Sequence, residues 1–372
     1  MLSALKAILG IKQLISIKTK KKKIFFYSEN KNYRGYFLPL IKELKKNLDY
    51  KIFYFTSDIK DLENIEEDLC PIYIGERFIR LLFFQLINCD FMIMTLSNIG
   101  ENQIKKVKTC KNYIYFFHSF CSTHKCYEKF AFKNYDTILT VSDFQNKELE
   151  KAENIYNLPK KKIFTVGYFY YEYLKKKIFL NQKIDKYITY APSWSRDKKN
   201  LFKDYSINII SRLLKLGFFV TMRTHPESIK REKKLLLKII KKFKNESKFK
   251  LNINLEDISP FEKSELLITD NGGVGLEYGL IYQKPILYID YKEKIHNFDY
   301  KDLNIEPLED KFKRKFGYKI SVNQLESLKK IIFEIKKNFN YQNSGMDSFF
   351  KDYNLKEINA SVRASKVIKK LI

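Results

Sequence analysis

TDNGGVGLEYGLIYQKPILYID, residues 269–290, holds four of the chain's twelve glycines within eight positions, in a sequence otherwise poor in glycine. The apolar run ELLIT stops at Asp270, and the pair Gly272-Gly273 stands where a helical pattern begins. A strand that enters a helix this way presents the first backbone N–H groups of the helix, which lack intrahelical acceptors and lie at the positive end of its dipole. With no side chains in the way, a phosphate or diphosphate reaches those amides. The competing reading is a tight turn that needs positive φ, for which Asn271 is also suited. Glu277 follows one helical turn later, where its carboxylate reaches the sugar hydroxyls of a nucleotide whose phosphates rest on the turn.

Outward from this stretch, apolar runs alternate with helical patterns. KYITYAPS, a helix over about 201–216, FFVTMRTH, a lysine-rich helix over about 229–243, FKLNINL, ELLITD, the helix from Gly272 and PILYID form one such series. KIFFYSE, FLPLIKELKK, YKIFYFTSD, PIYIG, ERFIRLLFFQLI, DFMIMTL, NYIYFFHSF and TILTVSD form an earlier one. Strands alternating with helices predict parallel sheets covered on both faces, and 372 residues exceed one hydrophobic core. The expected fold is α/β, with two doubly wound Rossmann-like domains facing a central cleft. YYEYLKKKIFLNQKID has no period and marks a boundary near 170–186. The expected division is a basic leader helix (1–22), an acceptor-side domain (23–170), a nucleotide-donor domain (187–350) and a C-terminal helix (351–372) returning towards the first domain.

Ligands of open α/β sheets bind beyond the C-terminal ends of the strands, which selects His118, the segment APSWSRD, His225 and the glycine stretch. Pro226 keeps His225 out of the helical region. There it is placed to donate to a phosphate oxygen, with Arg223 adding charge. His118 ends NYIYFFHSF, and an imidazole of ordinary pKa suits removal of a proton from an acceptor hydroxyl. For both, a histidine satisfied within the fold is the alternative. His118, Cys121, His124 and Cys126 form H-x-x-C-x-x-H-x-C, but the spacing matches no common structural zinc site and crowds four ligands onto one loop, so no metal is expected.

The formal charge of +27 calls for an anionic partner, whether phosphorylated substrate, nucleic acid or membrane, beside a general bias towards Lys, Ile, Asn, Tyr and Phe. Nucleic acid is disfavoured because the aromatics sit inside strand runs such as KIFFYSE rather than among surface cations. Five irregularly spaced cysteines fit a reducing cytoplasm without a structural disulfide. In residues 1–23, Lys6 and Lys12 interrupt the apolar run, which excludes a spanning helix or an ordinary secretion signal. Leu2, Leu5, Ile8, Leu9 and Ile15 recur at helical spacing ahead of Lys20–Lys23, the pattern of a helix lying on an anionic membrane. A helix packed on its own domain is the alternative.

Three segments in order, YAPSW (190–194), RTHP (223–226) and SELLITDNGGVGLEYGLIYQKPILYID (264–290), resemble the CDP-glycerol glycerophosphotransferase family, which builds teichoic acids and related surface polymers. The resemblance covers mainly residues 187–290. It implies a GT-B-like pair of domains with no required metal or cofactor, His225 on the donor diphosphate and His118 as the base. Ser193, Arg196, Arg223, Asp270, Asn271, Gly272, Gly273 and Glu277 are then the candidate substrate-binding residues. The implied reaction moves glycerol phosphate from CDP-glycerol or a similar nucleotide-activated donor to a polysaccharide or lipid-linked acceptor. The implied location is the cytoplasmic, inner face of the cell membrane. Asn271-Gly272-Gly273 stand where the family usually has Tyr-Ser-Ser, and Arg196 lies one position beyond the family's arginine. Asp-x-Gly-Gly with a downstream glutamate also resembles nucleotide-sugar 2-epimerases, although YAPSWSRDKKN lacks the histidine of their Thr-His-Arg segment. A GT-B glycosyltransferase using a nucleotide sugar and a UDP-sugar 2-epimerase are therefore the alternatives.

Overall fold

The computed structural model describes residues 2–47, 49–63, 69–100, 104–175, 185–195, 197–254, 256–292, 295–342, 345–356 and 359–371. The chain divides into two units. The first comprises Met1–Lys177, His296–Ile305 and Tyr353–Ile372, and the second Ile178–Ile295 and Glu306–Asp352. His296–Ile305 thus groups with the first unit, although it lies inside the range that the sequence pattern assigns to the second domain.

In the first unit, seven parallel strands form one sheet: β1 (Lys22–Ser28), β2 (Tyr50–Thr56), β3 (Pro71–Tyr73), β4 (Cys89–Met94), β5 (Cys110–Phe116), β6 (Thr137–Thr140) and β7 (Lys162–Thr165). Their order is β3-β2-β1-β4-β5-β6-β7, so the direction of winding reverses between β1 and β4. Inner strands are continuous apolar runs because helices cover both faces; every residue of CDFMIM in β4 is buried. Helix α2 (Arg34–Lys45) packs Phe37, Leu38, Leu40, Ile41 and Leu44 into this core, which also takes up Ala360, Ala364 and Ile368 of the C-terminal helix Ala360–Lys370. That helix is pinned by Ser361, whose N–H and Oγ donate to Glu172 at 2.9 and 2.6 Å.

Helix α1 (Leu2–Ser16) has two apolar faces. Ala7, Ile11 and Leu14 are buried against β3 and helix α3 (Arg77–Leu86), and Gly10 lies so close to the edge strand that a Cβ would stand 2.0 Å from the Tyr73 carbonyl oxygen. Leu5, Ile8, Leu9 and Ile15 form the second face and are exposed. The leader therefore packs on its own domain through residues other than those marked for a membrane. No helix among the described residues is long and apolar enough to cross a membrane.

The second unit is a six-stranded parallel sheet of β8 (Tyr187–Tyr190), β9 (Phe219–Arg223), β10 (Phe249–Asn252), β11 (Leu266–Thr269), β12 (Ile286–Asp290) and β13 (Tyr318–Ser321). The order β10-β9-β8-β11-β12-β13 reverses between β8 and β11. Its core joins Ile188, Tyr190, Met222, Ile268 and Leu287 from the sheet to Ile209, Ile210 and Leu213 from helix Leu201–Lys215.

Helix Gly273–Tyr282 follows β11 and contains the remaining glycines of the opening stretch. A Cβ at Gly275 would lie 2.3 Å from Tyr288 Oη and 2.8 Å from Cζ; a Cβ at Gly317 would lie 2.5 Å from the opposite edge of the same ring. The buried Tyr288 ring is held between two glycines and has nowhere to retreat. Gly279 admits Phe312 in the same way, with a Cβ-to-Cζ distance of 2.4 Å. Gly275→Ala is expected to destabilise the protein by about 1–3 kcal/mol through overpacking. Gly273→Ala, where a Cβ meets nothing within 4 Å, is expected to be neutral or slightly stabilising. Thermal melts of the two variants check the contrast; equal melting temperatures would remove the packing account.

Candidate functional site

Where the strand order of the second unit reverses, the chain leaving β8 meets the chain leaving β11. APSW follows β8 and DNGG follows β11, so two motifs 77 residues apart share the crevice at the switch point. Asp270 joins them: its Oδ1 accepts the Ser193 N–H at 2.8 Å and its Oδ2 accepts the Ser193 hydroxyl at 2.9 Å. Both residues are buried. The indole of Trp194 stacks on His225, with ring centroids 6.3 Å apart and planes at 22°. The Arg231 guanidinium also lies over the Trp194 ring, 5.4 Å from its centroid. The segments 190–194, 223–226 and 270–273 are thereby assembled at one end of one sheet.

His225 follows β9 with φ −61° and ψ 141°, the extended geometry required before Pro226, and caps helix Pro226–Arg231. Its Nδ1 accepts the Glu227 N–H at 3.2 Å. An acceptor at Nδ1 places the proton of the neutral ring on Nε2, which makes that nitrogen a donor. The half-buried ring thus has the tautomer that a phosphate oxygen requires.

The turn itself is not left-handed. Gly272 is the N-cap of helix Gly273–Tyr282 at φ −101°, and neither Gly273 nor Asn271 has a positive φ. The tight-turn alternative therefore falls away. At Gly272 a Cβ would approach Ser193 Cβ to 3.1 Å, whereas Gly273 is exposed with open space around it. Nothing in the surrounding fold requires glycine at 273, and the helix terminus is open to an approaching group. Glu277 is half-buried one turn further along.

Other candidates have structural partners. Asn271 donates from Nδ2 to the Lys292 carbonyl at 2.8 Å and accepts from Lys313 Nζ at 2.9 Å. Arg223 is 9% exposed; its Nη1 donates to the Asp257 carbonyl at 2.5 Å, and its guanidinium lies 4.7 Å from the centre of the Phe261 ring. It holds the loop after β10, and the role of charge donor to a ligand gains no support from that placement. Arg196 lies outside the described residues. Beside Asn271, a cleft of about 370 Å³ carries Lys292, Lys313, Arg314 and Lys319 against Asp290, Glu306 and Asp310. Lys313 pairs with Asp290 and Arg314 with Glu306, so two of its four cations are already neutralised within the cleft.

In the first unit, His118 lies two residues beyond β5. The rings of Tyr33 and Tyr36 meet it edge-on at centroid distances of 5.0 and 6.0 Å. Its Nδ1 is buried without a hydrogen-bond partner among the described residues. Burial pushes the imidazole down to about 4, so it is neutral at physiological pH. His124, the other histidine of the H-x-x-C-x-x-H-x-C run, is engaged elsewhere, with Nε2 3.0 Å from the Ile305 carbonyl and Nδ1 3.2 Å from Glu148 Oε1. Among the described residues no group of three or more His, Cys, Asp or Glu side chains is placed to hold a metal ion. The roles of Trp194, Tyr33 and Tyr36 are not evident from the sequence pattern; the i, i+3 spacing of the two tyrosines around the start of α2 is the one signal available.

The His118 geometry has a measurable consequence. With a pKa of about 4, the folded state binds this proton less readily than the unfolded chain, where a histidine titrates near 6.5. Its contribution to stability is therefore fully present above pH 6.5 and is lost as the pH falls from there through about 4. His118→Phe should keep the ring packing and lose the proton-linked dependence, so its melting temperature falls less than that of the wild type between those two pH values. Parallel melting curves against pH would count against a neutral His118 with a buried Nδ1.

No family model matches the sequence, and no curated protein matches it. Solved structures do resemble the fold. The wall teichoic acid polymerase TagF matches with a TM-score of 0.65 at 14% identity, over 99% of this chain and 96% of that one. The S. aureus MnaA–UDP co-structure matches with a TM-score of 0.63 at 14% identity, over 94% and 98%. The UDP-GlcNAc 2-epimerase of Methanocaldococcus jannaschii, in complex with UDP-GlcNAc and UDP, gives 0.59 at 14% identity, over 94% and 99%. The chain has the two-domain α/β fold of GT-B type that these structures share.

Proposed function

We propose that the protein is a transferase that moves an alditol phosphate, glycerol phosphate in the leading reading, from a CDP-activated donor to a hydroxyl of a polysaccharide or lipid-linked acceptor. The observation that carries this is the open helix terminus at Gly272-Gly273, set at a switch point and adjoined by the Trp194–His225 stack. Backbone amides at a helix start stabilise a diphosphate and the charge that grows on the leaving CMP. His225 adds an Nε2–H donor to the same phosphates, and Glu277 faces the ribose hydroxyls. Ser193 and Asp270 act as the brace that fixes the crevice.

The first unit supplies the acceptor side, with His118 as the base. A neutral imidazole is always ready to accept a proton, but with its pKa near 4 it is a weak base. The acceptor proton then passes to it as the new P–O bond forms rather than beforehand, which suits the loose transition state of phosphoryl transfer. The chain works at an anionic inner-membrane surface, where a lipid-linked acceptor is found. A second reading, use of a nucleotide sugar by a glycosyltransferase or 2-epimerase, is favoured by the Asp-Asn-Gly-Gly…Glu277 pattern and by the fold likeness to UDP-GlcNAc 2-epimerases.

A thermal-shift panel of CDP-glycerol, CDP-ribitol, CMP, UDP-GlcNAc and UDP tests the donor, since a ligand selective for the folded state raises the melting temperature by mass action. The expected outcome is a shift with CDP-alditols that Gly273→Val abolishes, while the variant alone stays within about 1 kcal/mol of wild type. A shift confined to UDP ligands would instead establish the second reading.

His225→Ala should weaken donor binding, by about 1.5–3 kcal/mol for one lost hydrogen bond to a charged group. His118→Ala should lower turnover with donor affinity held within a few-fold. Equal loss of donor affinity in both variants would contradict the assignment.

A further inference from the structure

Fifteen large hydrophobic side chains are exposed among the described residues, and seven of them lie on two helices that touch each other, α1 and α3. On α3 these are Phe78, Leu82 and Leu86, spaced i, i+4, i+8, which forms a single ridge along the helix. Phe78 is 77% exposed. The opposite side of α3 buries Phe83 and Phe84 in the core, so the ridge is a second apolar face, as on α1. An apolar surface of this kind, concentrated in one place, marks an interaction site rather than scattered surface residues.

Its charge identifies the partner. Neither helix contains an acidic residue. Lys6 and Lys12 lie on α1, Lys18, Lys20 and Lys21 follow it, and Arg77 begins α3, whereas Arg80 turns inward, its Nε buried beside Tyr27; the acidic residues flanking α3 are Glu76 at its N-cap and Asp90, which pairs with Lys111 at 2.7 Å. Exposed leucines, isoleucines and a phenylalanine on helices whose own charges are all positive complement a bilayer with anionic headgroups, where rings and aliphatic chains enter the acyl boundary and the cations stay among the phosphates. The packing of α1 on β3, with Gly10 against the Tyr73 carbonyl, holds its exposed face on a fixed support beside α3.

We propose that α1 and α3 together form one membrane-docking face, in which the Phe78–Leu82–Leu86 ridge enters an anionic bilayer beside the exposed face of α1. This rests on the membrane reading above and extends it from a leader helix to a surface of the folded domain. It predicts that the leader alone is insufficient.

The test is co-sedimentation of the full chain with phosphatidylglycerol-containing vesicles and with pure phosphatidylcholine vesicles, which reads docking without reference to the transfer reaction. The triple variant F78Q/L82Q/L86Q leaves α1 intact and replaces exposed residues, so its melting temperature should match wild type. It should bind the anionic vesicles at least tenfold more weakly, as should L5Q/I8Q/L9Q, and wild type should prefer anionic to neutral vesicles. Undiminished binding of the α3 variant, with loss in the α1 variant, would overturn the two-helix face and leave the leader reading standing. Undiminished binding in both would overturn the leader reading as well, and failure of the wild type to sediment with anionic vesicles would overturn membrane docking altogether, in neither case touching the donor assignment. A lipid-free dimer that the α3 substitutions convert to monomer would reassign the face to contact between copies of the chain.

Discussion

A single buried carboxylate braces the switch-point end of the second unit. Asp270 stands where β11 stops, beside the end of β8, and the sheet's winding reverses between those two strands. At such a point the connecting chains diverge to opposite faces and leave a crevice. Asp270 closes its base by taking both the N–H and the hydroxyl of Ser193. A buried charge left without those donors is costly, on the order of several kcal/mol, so the segment after β8 is held where the carboxylate needs it. Trp194 follows and carries the stacked His225 with it. That pair of hydrogen bonds, with the Thr269 hydroxyl on the Ala191 carbonyl at 2.7 Å and the Ala191 N–H on the Ile268 carbonyl at 2.9 Å, sets the helix start at Gly272 beside the segment that carries Trp194.

The glycines of the same stretch answer two different demands. Gly275 and Gly279 let Tyr288 and Phe312 reach the helix backbone; their role is internal, and any side chain there meets a ring. Gly272 and Gly273 lie at the helix mouth, and Gly273 meets nothing. No positive φ is needed at either; a Cβ at Gly272 would crowd Ser193 Cβ at 3.1 Å, whereas at Gly273 neither φ nor packing calls for glycine and the first turn of the helix is open.

Strands with strong apolar runs were legible: KIFFYS, CDFMIM and LLIT are inner strands whose two faces are both covered, and the motifs at their ends fell at strand ends in the fold. Of the four edge strands, β3 (within PIYIG) and β10 (within FKLNINL) were read, whereas β7 (KIFT) and β13 (YKIS), four residues each and with one fully buried position between them, were not. The site was legible where chemistry and turn geometry coincide, as at His225 before its proline. It was illegible where a residue's partner comes from far away in sequence. Nothing near Asn271 announces Lys313, and nothing near Arg223 announces that the carbonyls of residues 254 and 257 occupy its guanidinium. The leader sequence poses a choice between membrane and domain, and the helix packs one apolar face on the domain while a second stays exposed.

The first unit is assembled from three separated pieces of chain, the last of them at residues 353–372. Ala360, Ala364 and Ile368 fill the same core as Phe37 and Ile41, and Arg363 donates to the Val166 carbonyl beside Gly167, whose φ of +105° gives the backbone room for that approach. During synthesis, therefore, the N-terminal 177 residues emerge with α2 only partly covered, and the second unit is the first to have nearly its whole sequence available. Closure of the earlier unit waits for helix Ala360–Lys370 to leave the ribosome and carries the loop entropy of a contact spanning more than three hundred positions. The cover over the first sheet is thus translated after the whole of the second sheet, and a nascent chain cut short before that helix leaves part of the first core exposed.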